Sequence, residues 1–296
     1  MLDLISAFEN YIVEVKQVSA NTHESYMRDI RQLDSWLADN EGRNLIDATY
    51  EDVAAFVDYL EEEGRANPSI CRLISSVKCL FDYAVTAGFR EENPISSLKY
   101  QREKRKLPQI LSSAEIERLL AQPVCVDAKG YRDKAILEVM YATGIRVSEL
   151  VGLNVDDVNL KGGFIRCQVG TKRPRYIPMY PAAVRHLSNY MKRARPGMLC
   201  DPTEPALFVN LDGRRISRQG LWKLLRDYQE DAGIDKVVTP HTLRHSFAVH
   251  LLENGADMES IQELMGHCDI SSTHMYSQLA KQDLQNVYKK CHPKAQ

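Results

Sequence analysis

The chain has 296 residues and 44% hydrophobic content, enough for two ordinary globular domains, and no apolar run approaches the ~18 residues of a membrane span. The opening MLDLISAFENYIVEV carries acids where a signal peptide has its basic region, and the seven cysteines are scattered with no CxxC pair, so a reducing, cytoplasmic setting is expected rather than export, a disulfide framework or a cysteine zinc site. The formal charge of −2 is uneven: residues 1–100 hold 9 Lys/Arg against 18 Asp/Glu, whereas residues 101–296 hold 29 against 22, a mild pointer to an anionic partner that a solvated, mixed-charge face would also explain.

The first hundred residues read as helices. ANTHESYMRDIRQLDSWLADN pairs Asn21 with Glu24 as a cap and then places Tyr26, Ile30, Leu33 and Leu37 at helical spacing. YEDVAAFVDYLEEEG closes at Gly64, and NPSICRLISSVKCLFDYAVTAG starts with Asn67 as N-cap and Pro68 at the first helical position and stops at Gly88. With the opening segment this makes four helices, the count of a small bundle, over residues 1–98. Residues 99–106 then hold five basic side chains and one acid with no apolar periodicity, so 99–111 reads as an exposed basic linker.

A second domain, 112–296, opens at SSAEIERLL with Ser112 and Glu115 as a capping box. YRDKAILEVMYATG reads as an amphipathic helix halted at Gly144, and IRVSELVGL as a short one. The pattern then turns to β: Phe164, Ile165, Val169, Tyr176 and Ile177 among Gly and Pro turns predict a small antiparallel sheet. Helices resume at AAVRHLSNYMKRA, at SRQGLWKLLRDYQEDAG and from Pro240 onward.

VTPHTLRHSFAVH carries the chemistry. His241 and His245 are four apart, a spacing that can share a zinc ion, but no HExxH glutamate and no third ligand accompany them. Thr239 is a good N-cap and Pro240 a good first helical residue, so His241 falls in the first turn of a helix, where free N–H groups favour an anion. Arg244 lies one turn on, and its planar fork matches two phosphate oxygens. Arg146, just after Thr143–Gly144, stands at a second helix start; GHCDISSTHMYSQ adds His267 and, nine residues later, Tyr276. His245 is expected to support the fold, and His250 and His274 to be peripheral.

ATGIRVSELVGL, HTLRHSFAVHLL, LMGH and MY resemble, in order and separation, the successive signatures of the tyrosine recombinases, the phage-integrase superfamily. The first domain and basic linker resemble that family's core-binding domain, and the ending VYKKCHPKAQ with the total length looks most like the Xer branch, which resolves chromosome dimers. The resemblance implies a mainly α chain, with a four-helix SAM-like domain and an α+β catalytic domain closing as a C-shaped clamp on duplex DNA. It implies strand cleavage through a 3′-phosphotyrosyl link and a Holliday junction, as in type IB topoisomerase chemistry, with no cofactor and no metal. Tyr276 would attack, Arg146 and Arg244 would clamp the non-bridging oxygens, His241 would assist proton transfer or donate to the phosphate, and His267 would hydrogen-bond the same oxygens. Glu149 would orient its neighbours. DNA contacts would come from Lys99, Arg102, Lys104, Arg105 and Lys106 of the linker and Arg173 and Arg175 of the hairpin.

The family's hairpin lysine, the acid for the leaving 5′-oxygen, sits in a G-K-G-x-K-x-R…P pattern, whereas this chain reads V-G-T-K-R-P-R-Y-I-P. Anchoring on Arg175 and Pro178 puts Gly170 at the lysine position; Lys172, two residues on, is the expected acid, with Arg173 as runner-up despite a pKa too high for easy donation. The expected partners are a double-stranded recombination site and a homo- or hetero-tetramer with itself or a sister recombinase, its C-terminal helix docking through Leu279, Leu284 and Val287. Activation by a DNA translocase stays open. So do three rival readings: a mobile-element integrase with the same chemistry, a catalytically silent DNA-binding relative, and a zinc hydrolase.

Overall fold

The structure, a computed structural model, describes residues 3–101, 108–168, 174–256 and 258–266. The chain forms two compact units, residues 1–106 and 107–296, each with its own core. The basic stretch 99–111 straddles the division.

The first unit is helical. α1 (Leu4–Asn10) runs on through a π turn, Tyr11–Val15, and is followed by α2 (Ala20–Glu41), α3 (Tyr50–Glu62) and α4 (Asn67–Thr86). Phe8, Ile12, Ile30, Leu37, Phe56 and Phe81 are fully buried between them. Two caps differ from expectation. α2 is capped by Ser19, whose hydroxyl accepts from the Thr22 N–H, rather than by Asn21, because the helix starts before that asparagine is reached. α4 begins at Asn67 itself with Ala66 as the cap residue, and the Asn67 amide instead donates to the Gln101 carbonyl at 3.1 Å. Between α2 and α4 the buried Asp29 takes a two-pronged bond from Arg72, at 2.8 and 2.9 Å; a carboxylate so far from water needs such a partner.

The second unit begins with α5 (Ser113–Ala121), whose Ser112–Glu115 capping box forms as the sequence predicts. α6 (Ala128–Thr143) and α7 (Val147–Gly152) follow, then strands β1 (Val158–Asn159), β2 (Phe164–Cys167) and β3 (Arg175–Pro178). The strands form one antiparallel sheet in the order β1-β2-β3, with Cys167 opposite Arg175 at the hairpin end. α8 (Pro181–Asn189) passes through a π turn, Tyr190–Ala194, into α9 (Arg195–Met198). α10 (Arg218–Asp231), α11 (Pro240–Glu253) and α12 (Met258–Met265) complete the described part.

α6 is not the one-sided helix its sequence suggests. It packs against α5, α8, α11 and β3, so Ile136, Leu137, Val139, Met140 and even Asp133 and Glu138 are buried. Its buried charges are paired: Asp133 accepts from the Tyr228 hydroxyl of α10 at 3.0 Å and from Lys129, also at 3.0 Å. That bond ties α10 to the central helix. His250, expected at the periphery, is buried on α11 with its Nδ1 2.9 Å from the Tyr141 hydroxyl of α6.

Candidate active site

Three helix ends and one strand converge on the C-terminal turn of α12. α6 stops at Gly144, whose φ of +54° serves as a left-handed cap. A side chain is also excluded there, since a Cβ would lie 2.4 Å from the Phe247 ring. Arg146, two residues on, is the N-cap of α7, with an extended backbone. On α11, Thr239 caps through the Thr242 N–H, with Pro240 in the first turn, and this places Arg244 on the inner side of the helix. Arg175 opens β3.

The three guanidinium groups meet on three successive carbonyls. Arg175 Nε donates to Leu264 O at 3.0 Å, Arg244 Nη2 to Met265 O at 2.5 Å, and Arg146 Nη2 to Gly266 O at 2.8 Å. Arg244 Nη1 also donates to the carbonyl of Gly144, linking α11 to the end of α6. A helix C-terminus offers unsatisfied carbonyls and partial negative charge, so cations settle there. One carboxylate joins them. Glu149, on α7, accepts the Arg146 backbone N–H at 2.9 Å and Arg146 Nη1 at 3.3 Å, while both its oxygens receive Arg175, the second at 2.7 Å.

Among the described residues this cluster therefore sets three guanidinium charges against one carboxylate. Burial pushes the Glu149 pKa up, but bonds from Arg175 and from the Arg146 backbone outweigh it and hold the carboxyl below its usual range. Glu149 is thus a charged anchor, with a side chain only 2% exposed. Arg175 is turned inward as well, at 12%, whereas the Arg146 side chain keeps 35% of its surface open. Of the three, Arg146 is the one best placed to meet a ligand from solvent, with the surplus of positive charge behind it.

His241 lies exposed in the first turn of α11, and His245 lies on the next turn with the ring centroids 6.4 Å apart. Burial, with added repulsion from His241 and Arg244, depresses the His245 pKa to about 4, so this imidazole is neutral at physiological pH. Among the described residues no group of three or more His, Cys, Asp or Glu is gathered to hold a metal ion. Cys167, beside the cluster, is buried, and its thiol is pushed up to about 12, which leaves it inert. Lys99 is exposed at the start of the basic stretch, where the neighbouring Tyr100 hydroxyl donates to Glu61 at 2.6 Å. Arg102, Lys104, Arg105, Lys106, Lys172, Arg173, His267 and Tyr276, together with His274, Leu279, Leu284 and Val287, lie outside the described residues.

α10 carries a feature the sequence reading passed over. It buries Leu221, Leu224, Leu225 and Tyr228 and exposes Arg218, Gln219, Trp222, Lys223 and Arg226 along one face, beside a groove of about 520 Å³. Trp222 is 47% exposed. The signal was present in RQGLWKLLR, where three cations and a tryptophan share the side opposite the leucines.

Residues 109–283 match the model of the phage integrase family, and residues 5–88 that of the phage integrase N-terminal SAM-like domain. The chain is 36% identical over 295 residues to a tyrosine recombinase XerD of Staphylococcus epidermidis and 39% identical over 299 residues to one of Listeria innocua, covering 100% of both partners in each case. Among solved structures it resembles the XerH recombinase bound to a palindromic difH substrate in a post-cleavage complex, with a TM-score of 0.74 at 18% identity over 96% of this chain and 84% of that one. It also resembles a lambda integrase tetramer bound to a Holliday junction, with a TM-score of 0.68 at 18% identity over 92% and 76%. These two likenesses are of fold.

Proposed function

The chain belongs to the phage integrase family and is a Xer-type tyrosine recombinase, a DNA strand-exchanging enzyme, and from that premise we propose how its residues divide the work. One observation carries the reading. Arg146 and Arg244, far apart in sequence, are anchored on adjacent carbonyls of the α12 end, immediately before His267. In this reading they face the scissile phosphate, whose two non-bridging oxygens gain charge as phosphorus becomes five-coordinate. Their planes are fixed before DNA arrives, so no reorganisation is needed when that charge develops.

Tyr276 attacks the phosphorus; a 3′-phosphotyrosyl bond forms, the P–O5′ bond breaks, and the strand leaves as a 5′-hydroxyl. His241, exposed in the first turn of α11, takes the tyrosine proton or donates to the phosphate, and His267 donates to the same oxygens. Lys172 supplies the proton to the leaving oxygen from the hairpin between β2 and β3. The 5′-hydroxyl of another strand reverses the sequence, and the phosphotyrosyl bond keeps the energy of the broken phosphodiester, so neither ATP nor metal is required.

Binding is assigned to two surfaces. Lys99, Arg102, Lys104, Arg105, Lys106 and Arg173 neutralise phosphates. The exposed face of α10 presents cations and Trp222 on a helix of the width the major groove admits. Exchange between two duplexes needs four cleavages with one tyrosine each, which supports a tetramer on two sites, of one chain or of two sister chains, linked by the C-terminal segment. Full-length likeness to XerD proteins favours chromosome-dimer resolution over a mobile-element role. The cytoplasm, where that DNA resides and free thiols persist, is the proposed location, with a DNA translocase as an activating partner.

The clamp is tested with a nicked duplex carrying a site selected from random sequence by the purified chain. Arg146→Ala and Arg244→Ala are each expected to slow formation of the covalent adduct about 100-fold or more while DNA affinity is largely kept. Loss of affinity with cleavage at saturating DNA unchanged would contradict the clamp.

A further inference from the structure

We infer that Arg175 is a positioning residue of the cleavage reaction rather than a DNA contact, setting the spacing of the phosphate clamp by holding Glu149 and the end of α12 at once. Three of its donors are committed inside the fold: Nη1 and Nη2 to the two oxygens of Glu149, and Nε to Leu264 O at 3.0 Å. Its side chain is only 12% exposed, and these three donors are taken up by Glu149 and Leu264. A Cβ on Gly266 would lie 3.1 Å from Arg175 Nη1, so the guanidinium is packed directly under the turn that carries the carbonyls.

Both ends of this brace lead to the clamp. Glu149 holds Arg146 at its backbone N–H and at Nη1, which fixes where α7 starts and where the guanidinium points. Leu264 is followed by Met265 and Gly266, whose carbonyls hold Arg244 and Arg146. A shift of Arg175 would therefore move Arg146 through two routes and Arg244 through one. A planar five-donor fork is needed for that geometry, and a lysine can keep the charge but not the three fixed directions. Arg175 also pairs with Cys167 across β2 and β3, so the brace is seated on the sheet.

This inference rests on the reading of Arg146 and Arg244 as a phosphate clamp, and the test separates the two. Cleavage is measured at saturating DNA on the nicked duplex and on the same duplex with a methylphosphonate at the scissile position, which removes the negative charge that a clamp neutralises. Two variants are used, Arg175→Lys and the double variant Glu149→Gln/Arg175→Met, the second of which removes both partners of the Glu149–Arg175 ion pair together. Each is expected to fold, to bind DNA as tightly as the wild type, and to cleave the phosphate about 10- to 100-fold more slowly, with most of that defect absent on the methylphosphonate. Equal slowing on both substrates in both variants, or a loss of affinity with full cleavage at saturation, overturns the positioning role. Arg146→Ala is run beside them. If it shows no relief on the methylphosphonate, the clamp reading itself fails; if it does and the Arg175 variants do not, the positioning inference alone fails.

Discussion

His245 shows how one residue's surroundings choose among its possible chemistries. Spacing alone lets it pair with His241 around a metal, but the structure half-buries it on α11, and burial, with added repulsion from His241 and Arg244, drives its pKa down to about 4 from 6.5. The sign of the pH effect follows. The folded state disfavours the proton, the unfolded chain takes it up as pH falls through 6.5, and stability that is full above that value drains away toward pH 4. His250, buried beside Tyr141 with its pKa also lowered by burial, adds in the same direction. The wild type should lose stability from His245 between pH 7 and pH 4, seen as a falling Tm, and His245→Asn should flatten that slope. A variant whose Tm falls as steeply as the wild type would show that His245 does not titrate as described.

At the scale of elements, the caps of α5 and α11 were legible, whereas those of α2 and α4 and the face of α6 were not. Thr239 and Pro240, Ser112 and Glu115, and the stop at Gly144 follow from local chemistry that a few neighbouring residues decide. α6 was misread because its charged residues suggest a solvent face, whereas Asp133 and Glu138 are buried against partners from α8, α10 and Tyr180, just after β3, that no local pattern reveals. α10 was passed over for the opposite reason: a cationic face resembles ordinary solvated surface until the fold shows Trp222 left open beside it. If that face lies on DNA, Arg226→Ala should weaken binding across sequences and lower the slope of log affinity against log salt by about one, and Trp222→Ala should weaken binding without changing that slope. An unchanged slope in the arginine variant would remove α10 from the phosphate contacts.

For the whole molecule, the order of short signatures carried the chemistry, because Arg146, His241 and Arg244 each sit at a helix start that sequence can locate. What sequence did not supply was the frame that joins them. The Glu149–Arg175 brace and the three carbonyls of Leu264, Met265 and Gly266 link segments from α7, β3, α11 and α12, contacts fixed only by tertiary packing. In the proposed mechanism Tyr276 is the nucleophile. The direct measurement is the SDS-resistant protein–DNA adduct formed in EDTA on the selected nicked duplex, by wild type and by Tyr276→Phe. The wild type should form the adduct through a 3′-phosphotyrosyl link and the variant none; an adduct that survives the substitution, or one that appears only when metal is supplied, would contradict the mechanism.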